Sequence, residues 1–417
     1  SSPSLWLSEL PPSQSSIGSL HRITHFLILM AVASNNGEGR KLASSSCTLC
    51  PDVVEWCPSE GFTNLMAVGL YEHDEQAGVR RGSVQLVKAT IPTSLQKSCD
   101  GQLQVLAEAP VAGAYDVAWS PDGLGPPAAA DLARLDRYLA VAAADGVLRL
   151  MEFESGHSND RGDCRDHSTW RCKEAASVQL LENSILTHVA WGAGEASGLA
   201  AVGQDGACHY VKCRPDGSLV CVAQRQAHDL EAWSVEVSSF APYLVLTGAD
   251  DAKLAGWDIR ESPDSPPAIM NRKSHGAGVT ALSADPFNSH ILATGSYDER
   301  VRLFDLRFPV QRPLAETECL GDGSYHLSWN TSQKGVLGVA AMRSGLAVFL
   351  VGDDADALTE YGQYAAGAAD GEHGSLAYGL SWQFQNTPSK DRVHIAASAS
   401  FYDRSLHLWT MAYADST

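Results

Sequence analysis

A chain of 417 residues, 44% hydrophobic and 19% charged, has the length for one large domain or two to three ordinary ones and the apolar content for a core. Its formal net charge of −19 argues against life on nucleic acid or an anionic membrane, because phosphate binding needs clustered Lys and Arg. The 10 Cys are scattered rather than evenly spaced, which reads as reduced thiols in the cytoplasm and not as a disulfide framework.

From the N-terminus, "FLILMAVA" (26–33) has the small-residue end of a signal-peptide core but is too short to span a bilayer. "MAVASNNGEGRK", starting at Met30, reads as an ordinary protein start. Residues 1–39 are therefore expected to be an extension outside the fold, and a chain beginning at Met30 is expected to fold. The domain is expected over 40–411, with a tail at 412–417.

Seven short runs then follow, most of them ending in a large residue: "DVVEW" (52–56), "YDVAW" (115–119), "THVAW" (187–191), "AWSVE" (232–236), "GVTAL" (278–282), "YHLSW" (325–329) and "YGLSW" (378–382). The middle steps between them match the roughly 40–45-residue period of a four-stranded propeller blade. The longer steps carry polar or Gly/Pro-rich insertions, "YEHDEQAGVRR" (71–81), "PDGLGPPAAADLAR" (121–134) and "ESGHSNDRGDCRDHSTW" (154–170), as surface loops do. Within a unit a second apolar run ("YLVLTG", "ILATGS"), an Asp or Gly turn and a third run ("KLAGWD", "RVRLFD") recur. Short β-rich runs separated by turn signals predict an all-β fold. The fold class is thus a seven-bladed β-propeller of four-stranded antiparallel blades. The last unit ends at Trp409 without a fourth strand, so "RKLASSSCTL" (40–49) is expected to supply it and close the ring, leaving no open edge there.

The fourth and fifth units match closely. Thr247, Asp251 and Trp257 share the mutual spacing of Thr294, Asp298 and Phe304, and His228 precedes Trp257 by as much as His275 precedes Phe304. This resembles the WD repeat. The resemblance implies a buried hydrogen-bond chain of His, Ser or Thr, Asp and Trp, with Asp403 and Trp409 as the counterparts in the last unit. A buried Asp must be bonded, or its burial is costly. These residues read as struts. Phe304 lacks the indole donor, so the fifth chain is shorter. Units 2, 3 and 6 lack most of the pattern and are left to apolar packing and backbone ladders.

Residues at the inner-strand starts line one end of a propeller channel: Asp52, Tyr115, Asp116, Thr187, His188, Glu231, Trp233, Tyr325, His326 and Tyr378. Asp250, Tyr297 and Tyr402, each just before a turn Asp, are expected to reach the same rim. Such a rim can stack on an imidazole or hold a trimethylammonium group by cation–π contact, and it equally suits protein binding. No Gly-x-Ser-x-Gly elbow and no His-Glu-x-x-His occurs. Cys47-x-x-Cys50 with Cys57, and the group His157, Cys164, His167 and Cys172, match no complete zinc module, so no metal site is expected. Chemistry in the channel would then rest on a general base, and position makes His188 and His326 the candidates.

"DVVEWCP" (52–58), "QAHDLEAWSVEV" (226–237), "GADDAKLAGWDIR" (248–260), "HILATGSYDERVRLFDLR" (290–307) and "ASFYDRSLHLW" (399–409) together resemble the diphthine methylesterase family, WD-repeat proteins of diphthamide biosynthesis. The resemblance implies hydrolysis of the methyl ester of over-methylated diphthine, on the modified His of translation elongation factor 2, to diphthine and methanol. It implies no cofactor. A monomer without nucleic-acid or membrane partners is expected. The chain departs from the family in unit 6, where "SYHLSWN" (324–330) replaces a Trp-Arg-x-x-Trp-His-Pro string and Arg343 stands where a His is usual. A non-catalytic adaptor that docks elongation factor 2 or other proteins is the alternative reading.

Overall fold

The computed structural model describes residues 37–92, 101–121, 137–155, 170–192, 197–364, 373–384 and 393–412. The 26–33 run, most of the 121–134 and 154–170 insertions, His157, Cys164 and His167, and the tail beyond 412 lie outside them. Every regular element among the described residues is a strand. The strands form seven antiparallel blades, each built from four strands in order from the channel outward, and the molecule is a seven-bladed β-propeller. The innermost strands are Cys50–Trp56, Ala114–Trp119, Leu186–Gly192, Ala232–Val237, Val279–Ala284, His326–Trp329 and Ala377–Trp382 for blades 1 to 7.

Both chain ends build the last blade. Arg40–Ser46 pairs antiparallel with Ser405–Ala412 as its fourth strand. Gly37–Glu38, just ahead of it, adds a fifth, parallel strand to blade 6 against Gly362 and Gln363. The chain crosses from one blade to the next at Gly39, where a Cβ would come within 2.9 Å of the Tyr364 ring.

The core lies between blades and explains why the inner runs end in Trp. Four of the five rings pack against the neighbouring sheet while the N–H finds a carbonyl there, and Trp56 is fully buried with its Nε1 unpartnered among the described residues. Trp119 Nε1 donates to the Glu55 carbonyl (3.2 Å), Trp191 to Ala118 (2.9 Å), Trp329 to Ser283 (3.1 Å) and Trp382 to Ser328 (2.9 Å). In blades 4 and 5 the pairings Val235↔Thr247 and Leu282↔Thr294, matched with Leu380↔Ser398, put Val237 and Ala284 at this position. The runs "AWSVE" and "GVTAL" stop short of it. Glu236 is therefore a channel residue, because alternate residues of a strand face opposite sides.

In blade 4 the expected hydrogen-bond chain is complete. Trp257 Nε1 donates to Thr247 Oγ1 (3.2 Å), Thr247 Oγ1 meets His228 Nε2 (2.8 Å), and His228 Nδ1 meets Asp251 Oδ1 (3.0 Å). Lys253 adds an ion pair to Asp251 at 2.9 Å. In blade 5 His275 Nε2 keeps Thr294 (2.8 Å), but its Nδ1 has no partner. Asp298 turns instead to Arg302 (2.9 Å) and to the Gly276 N–H (2.7 Å). In blade 7 His373, a residue the spacing did not reveal, bonds Ser398 Oγ (2.7 Å), which accepts from Trp409 Nε1 (3.1 Å). Asp403 is exposed rather than buried. One more residue separates it from Ser398 than separates Asp251 from Thr247, and Ser405 bridges the gap, 3.1 Å from Asp403 and 3.0 Å from His373 Nδ1.

Blades 2 and 3 are not left to apolar packing alone. A turn Asp pairs with a basic residue four positions on, in the third strand: Asp145 with Arg149 (2.6 Å) and Asp205 with His209 (3.3 Å). Asp298 and Arg302 repeat this in blade 5. The Asp205 carboxylate is one of the groups that hold His209 up at about 9 against the effect of burial.

Candidate functional site in the central channel

Six inner strands skip one residue of pairing near their start. The skipped residues are Asp52, Tyr115, Thr187, Trp233, Thr280 and Tyr378. Tyr325 precedes the inner strand of blade 6 at the same level. A β-bulge re-aims the extra side chain, and here it turns these residues toward one end of the channel. Thr280 is a member of this level that the sequence reading missed.

Below the bulges the strands alternate regularly and present two polar layers to a cavity of about 360 Å³. The first holds Asp116, His188 and His326. The second, two residues further along, holds Glu55, Glu236, Ser283, Ser328 and Ser381. Side chains of both layers accept backbone N–H groups from the next blade: Asp116 from Val189 (2.9 Å), His188 Nδ1 from Val235 (3.4 Å), Glu55 from Trp119 (2.8 Å) and Ser381 from Trp56 (3.1 Å). These bonds tie the ring of blades together and fix the carboxylates and the imidazole of His188.

The two candidate bases therefore differ. With Nδ1 of His188 an acceptor, its proton sits on Nε2, which faces Asp116 Oδ2 at 3.6 Å. His326 carries no such tie among the described residues, and its ring opens on the cavity. Burial lowers both imidazoles to about 4, so both are neutral at neutral pH; Asp116 opposes the shift at His326. Burial raises Asp116 to about 7, against the pull of the Val189 N–H and of His326. Burial pushes Asp52 well above the carboxylate range, with Asp116 adding to it. Glu55 and Glu236 rise to about 8 for the same first reason, each restrained by one backbone N–H.

Aromatic rings form an arc over one side of the bulge end. Tyr115 contacts Tyr71 (centroids 4.5 Å), Tyr71 contacts Phe401 (6.2 Å), Phe401 contacts Tyr378 (5.3 Å), and Tyr378 stacks on Tyr325 (4.3 Å). On the other side Trp233 Nε1 donates to Asp250 Oδ1 (2.7 Å). Tyr297 is raised to about 12 by burial and then by Asp250, Asp52 and Asp322. Tyr71, Phe401 and Asp322 were not among the sequence candidates. Glu231 does not line the cavity; its carbonyl accepts the Asp250 N–H (2.9 Å). Tyr402 projects outward, 68% exposed, with its ring against Phe401. Among the described residues no group of three His, Cys, Asp or Glu is placed to hold a metal ion. Burial raises the Cys47 thiol to about 12.

The WD domain, G-beta repeat family matches residues 268–305, the outer strand of blade 4 and the first three strands of blade 5. The chain is a WD-repeat propeller. Diphthine methyltransferase of Mus musculus is 28% identical over 364 residues, covering 84% of this chain and 71% of the mouse protein. Diphthine methyltransferase of Homo sapiens is 27% identical over 361 residues, covering 81% of this chain and 73% of the human protein. These relatives bear out the resemblance read from the blade 1, 4, 5 and 7 strings. A chain in the crystal structure of the mitotic checkpoint complex superposes with a TM-score of 0.59 at 15% identity, covering 100% of this chain and 99% of that one, and shares the fold.

Proposed function

We propose that this WD-repeat propeller acts in diphthamide biosynthesis by hydrolysing the methyl ester of over-methylated diphthine on translation elongation factor 2, in the cytoplasm. The observation that carries the reading is the Asp116–His188–His326 layer, which lines the channel of a fold whose relatives bear the diphthine name. Hydrolysis requires water, a base and donors for the developing oxyanion, and the channel's own side chains can supply them. Methyl transfer would need a methyl donor as well.

In this reading the trimethylammonium group of the substrate lies in the aromatic arc, with Asp250 and Asp322 beyond it. His326 takes a proton from a water that attacks the ester carbonyl, and Asp116 stabilises the imidazolium so formed. The phenols of Tyr115 and Tyr325 stay protonated near pH 7 and are the available donors to the oxyanion. His326 returns its proton to the departing methoxide, giving methanol and free diphthine. His188, held at Nδ1 by the Val235 N–H, keeps its Nε2 side toward Asp116.

The test is to incubate the purified protein with elongation factor 2 carrying the methyl ester and to follow the substrate by mass spectrometry. The reading expects loss of one CH2 per ester and release of methanol. An unchanged mass with an intact, folded protein overturns it. A second reading, an adaptor that docks elongation factor 2 without chemistry, is favoured by one observation: Asp116 and His188 both serve as inter-blade ties. In that case His326→Ala leaves binding and pathway output unchanged.

A further inference from the structure

Ester hydrolysis consumes a water and releases two products: R–COO–CH3 + H2O gives R–COO⁻, CH3OH and H⁺. A protein substrate that inserts a side chain among the aromatic rings occupies that end of the channel. The cavity does not end at His326. It continues past Ser283 and Ser328 to Pro286 and Thr331, in the loops that follow the inner strands of blades 5 and 6. Both of these residues are exposed to solvent, whereas Asp52, Thr187 and Thr280 at the opposite end are buried.

The lining between the two ends suits water. Hydroxyls of Ser283, Ser328 and Ser381 and the carboxyls of Glu55 and Glu236 face the cavity. The indoles of Trp329 and Trp382 are held by the Ser283 and Ser328 carbonyls of the preceding blades. A cavity of about 360 Å³ has room for roughly a dozen waters at ~30 Å³ each.

We propose that the Pro286–Thr331 end of the channel is a solvent port, through which water reaches His326 and methanol leaves while the substrate protein fills the aromatic end. The proposal rests on the hydrolysis described above. It gives the propeller's through-channel a division of labour: one end recognises, the other exchanges small molecules.

Two variants narrow the port at its exposed edge without touching the aromatic end or the polar layers, Pro286→Trp and Thr331→Trp. Two substrates are compared: elongation factor 2 carrying the methyl ester, and a small soluble methyl ester of a trimethylated amino acid, which leaves the aromatic end open to water. On the protein substrate both variants should lower kcat about tenfold with little change in KM, since exchange rather than chemistry becomes limiting. On the small ester they should change kcat less than twofold. Equal slowing on both substrates, or no slowing on either, overturns the port. If the unmodified chain hydrolyses neither substrate, the hydrolysis itself is refuted first, and the two failures are told apart. Both positions are exposed and lie in loops, so either variant keeps the test informative if the other does not fold.

Discussion

The hydrogen-bond chains of blades 4 and 5 differ in one way that can be measured. Thr247→Val removes a hydroxyl that serves two buried partners, His228 Nε2 at 2.8 Å and Trp257 Nε1 at 3.2 Å. Thr247 is 0%, His228 2% and Trp257 7% exposed, so water cannot replace the lost bonds. Leaving a buried polar group unsatisfied costs about 1–3 kcal/mol, which puts Thr247→Val at roughly 2–5 kcal/mol. The matching Thr294→Val removes a hydroxyl with a single buried partner, His275 Nε2, because Phe304 offers no donor. Its cost should be about 1–2 kcal/mol, roughly half. A ring of seven blades need not unfold in one step, so the assay is native-state hydrogen exchange of the Leu254–Asp258 and Val301–Asp305 amides, supported by urea midpoints. If Thr294→Val proves as costly as Thr247→Val, the indole link contributes nothing and the account of the chain is wrong.

Other outcomes follow from the channel and the closure. His326→Ala should lower esterase turnover by about 10²–10⁴-fold, and His188→Ala should lower it less, since the Val235 N–H occupies Nδ1 of His188 while His326 carries no such tie among the described residues; the reverse order in steady-state rates would exchange their roles. Turnover should rise with pH around 7 as Asp116 ionises, while His326, lowered to about 4, stays neutral throughout; Asp116→Asn should abolish that rise in a pH–rate profile. Glu55 is raised in the folded chain to about 8, so it contributes stability below its unfolded value near 4.5 and that contribution is lost as pH climbs through 8. Glu55→Gln should accordingly flatten the fall in thermal midpoint between pH 4.5 and 8, and an unaltered slope would count against a buried neutral carboxyl. A chain beginning at Met30 should keep the fold, whereas one beginning at Cys47 loses the outer strand of blade 7 and should expose Ser405–Ala412 to limited proteolysis.

Much of the scaffold was legible because its signals are local. A Trp at the end of an inner run and the His–Thr–Asp–Trp spacing of blade 4 each report a contact made within one repeat or with its immediate neighbour. Spacing failed where insertions stretched it. His373 lies further ahead of Trp409 than His228 lies ahead of Trp257, because blade 7 carries extra residues between its first two strands. The Asp145–Arg149 and Asp205–His209 pairs are written at a plain four-residue interval, yet they replace the WD pattern rather than repeat it. At the channel the sequence pointed to the strand starts but could not separate His188 from His326. That difference depends on the Val235 N–H, a backbone group contributed by another blade, and no spacing within the repeat encodes it. Tyr71 and Phe401 join the aromatic arc from the ends of second strands, a level the reading of inner-strand starts did not sample.

The crossing of Gly37–Ser46 from blade 6 to blade 7 also bears on how the molecule is made. Arg40–Ser46 finds its antiparallel partner only after residues 405–412 have been made, so this edge stays open while the strands of six blades between them are synthesised. Contacts of such sequence separation are slow to form and leave an unpaired edge exposed in the meantime. Because its short N-terminal piece, Gly37–Glu38, docks on blade 6, the chain end can be captured one blade early and handed to its final neighbour. The order of assembly is then built into the topology: six blades form a cradle, and the seventh is completed by a strand made before any of them.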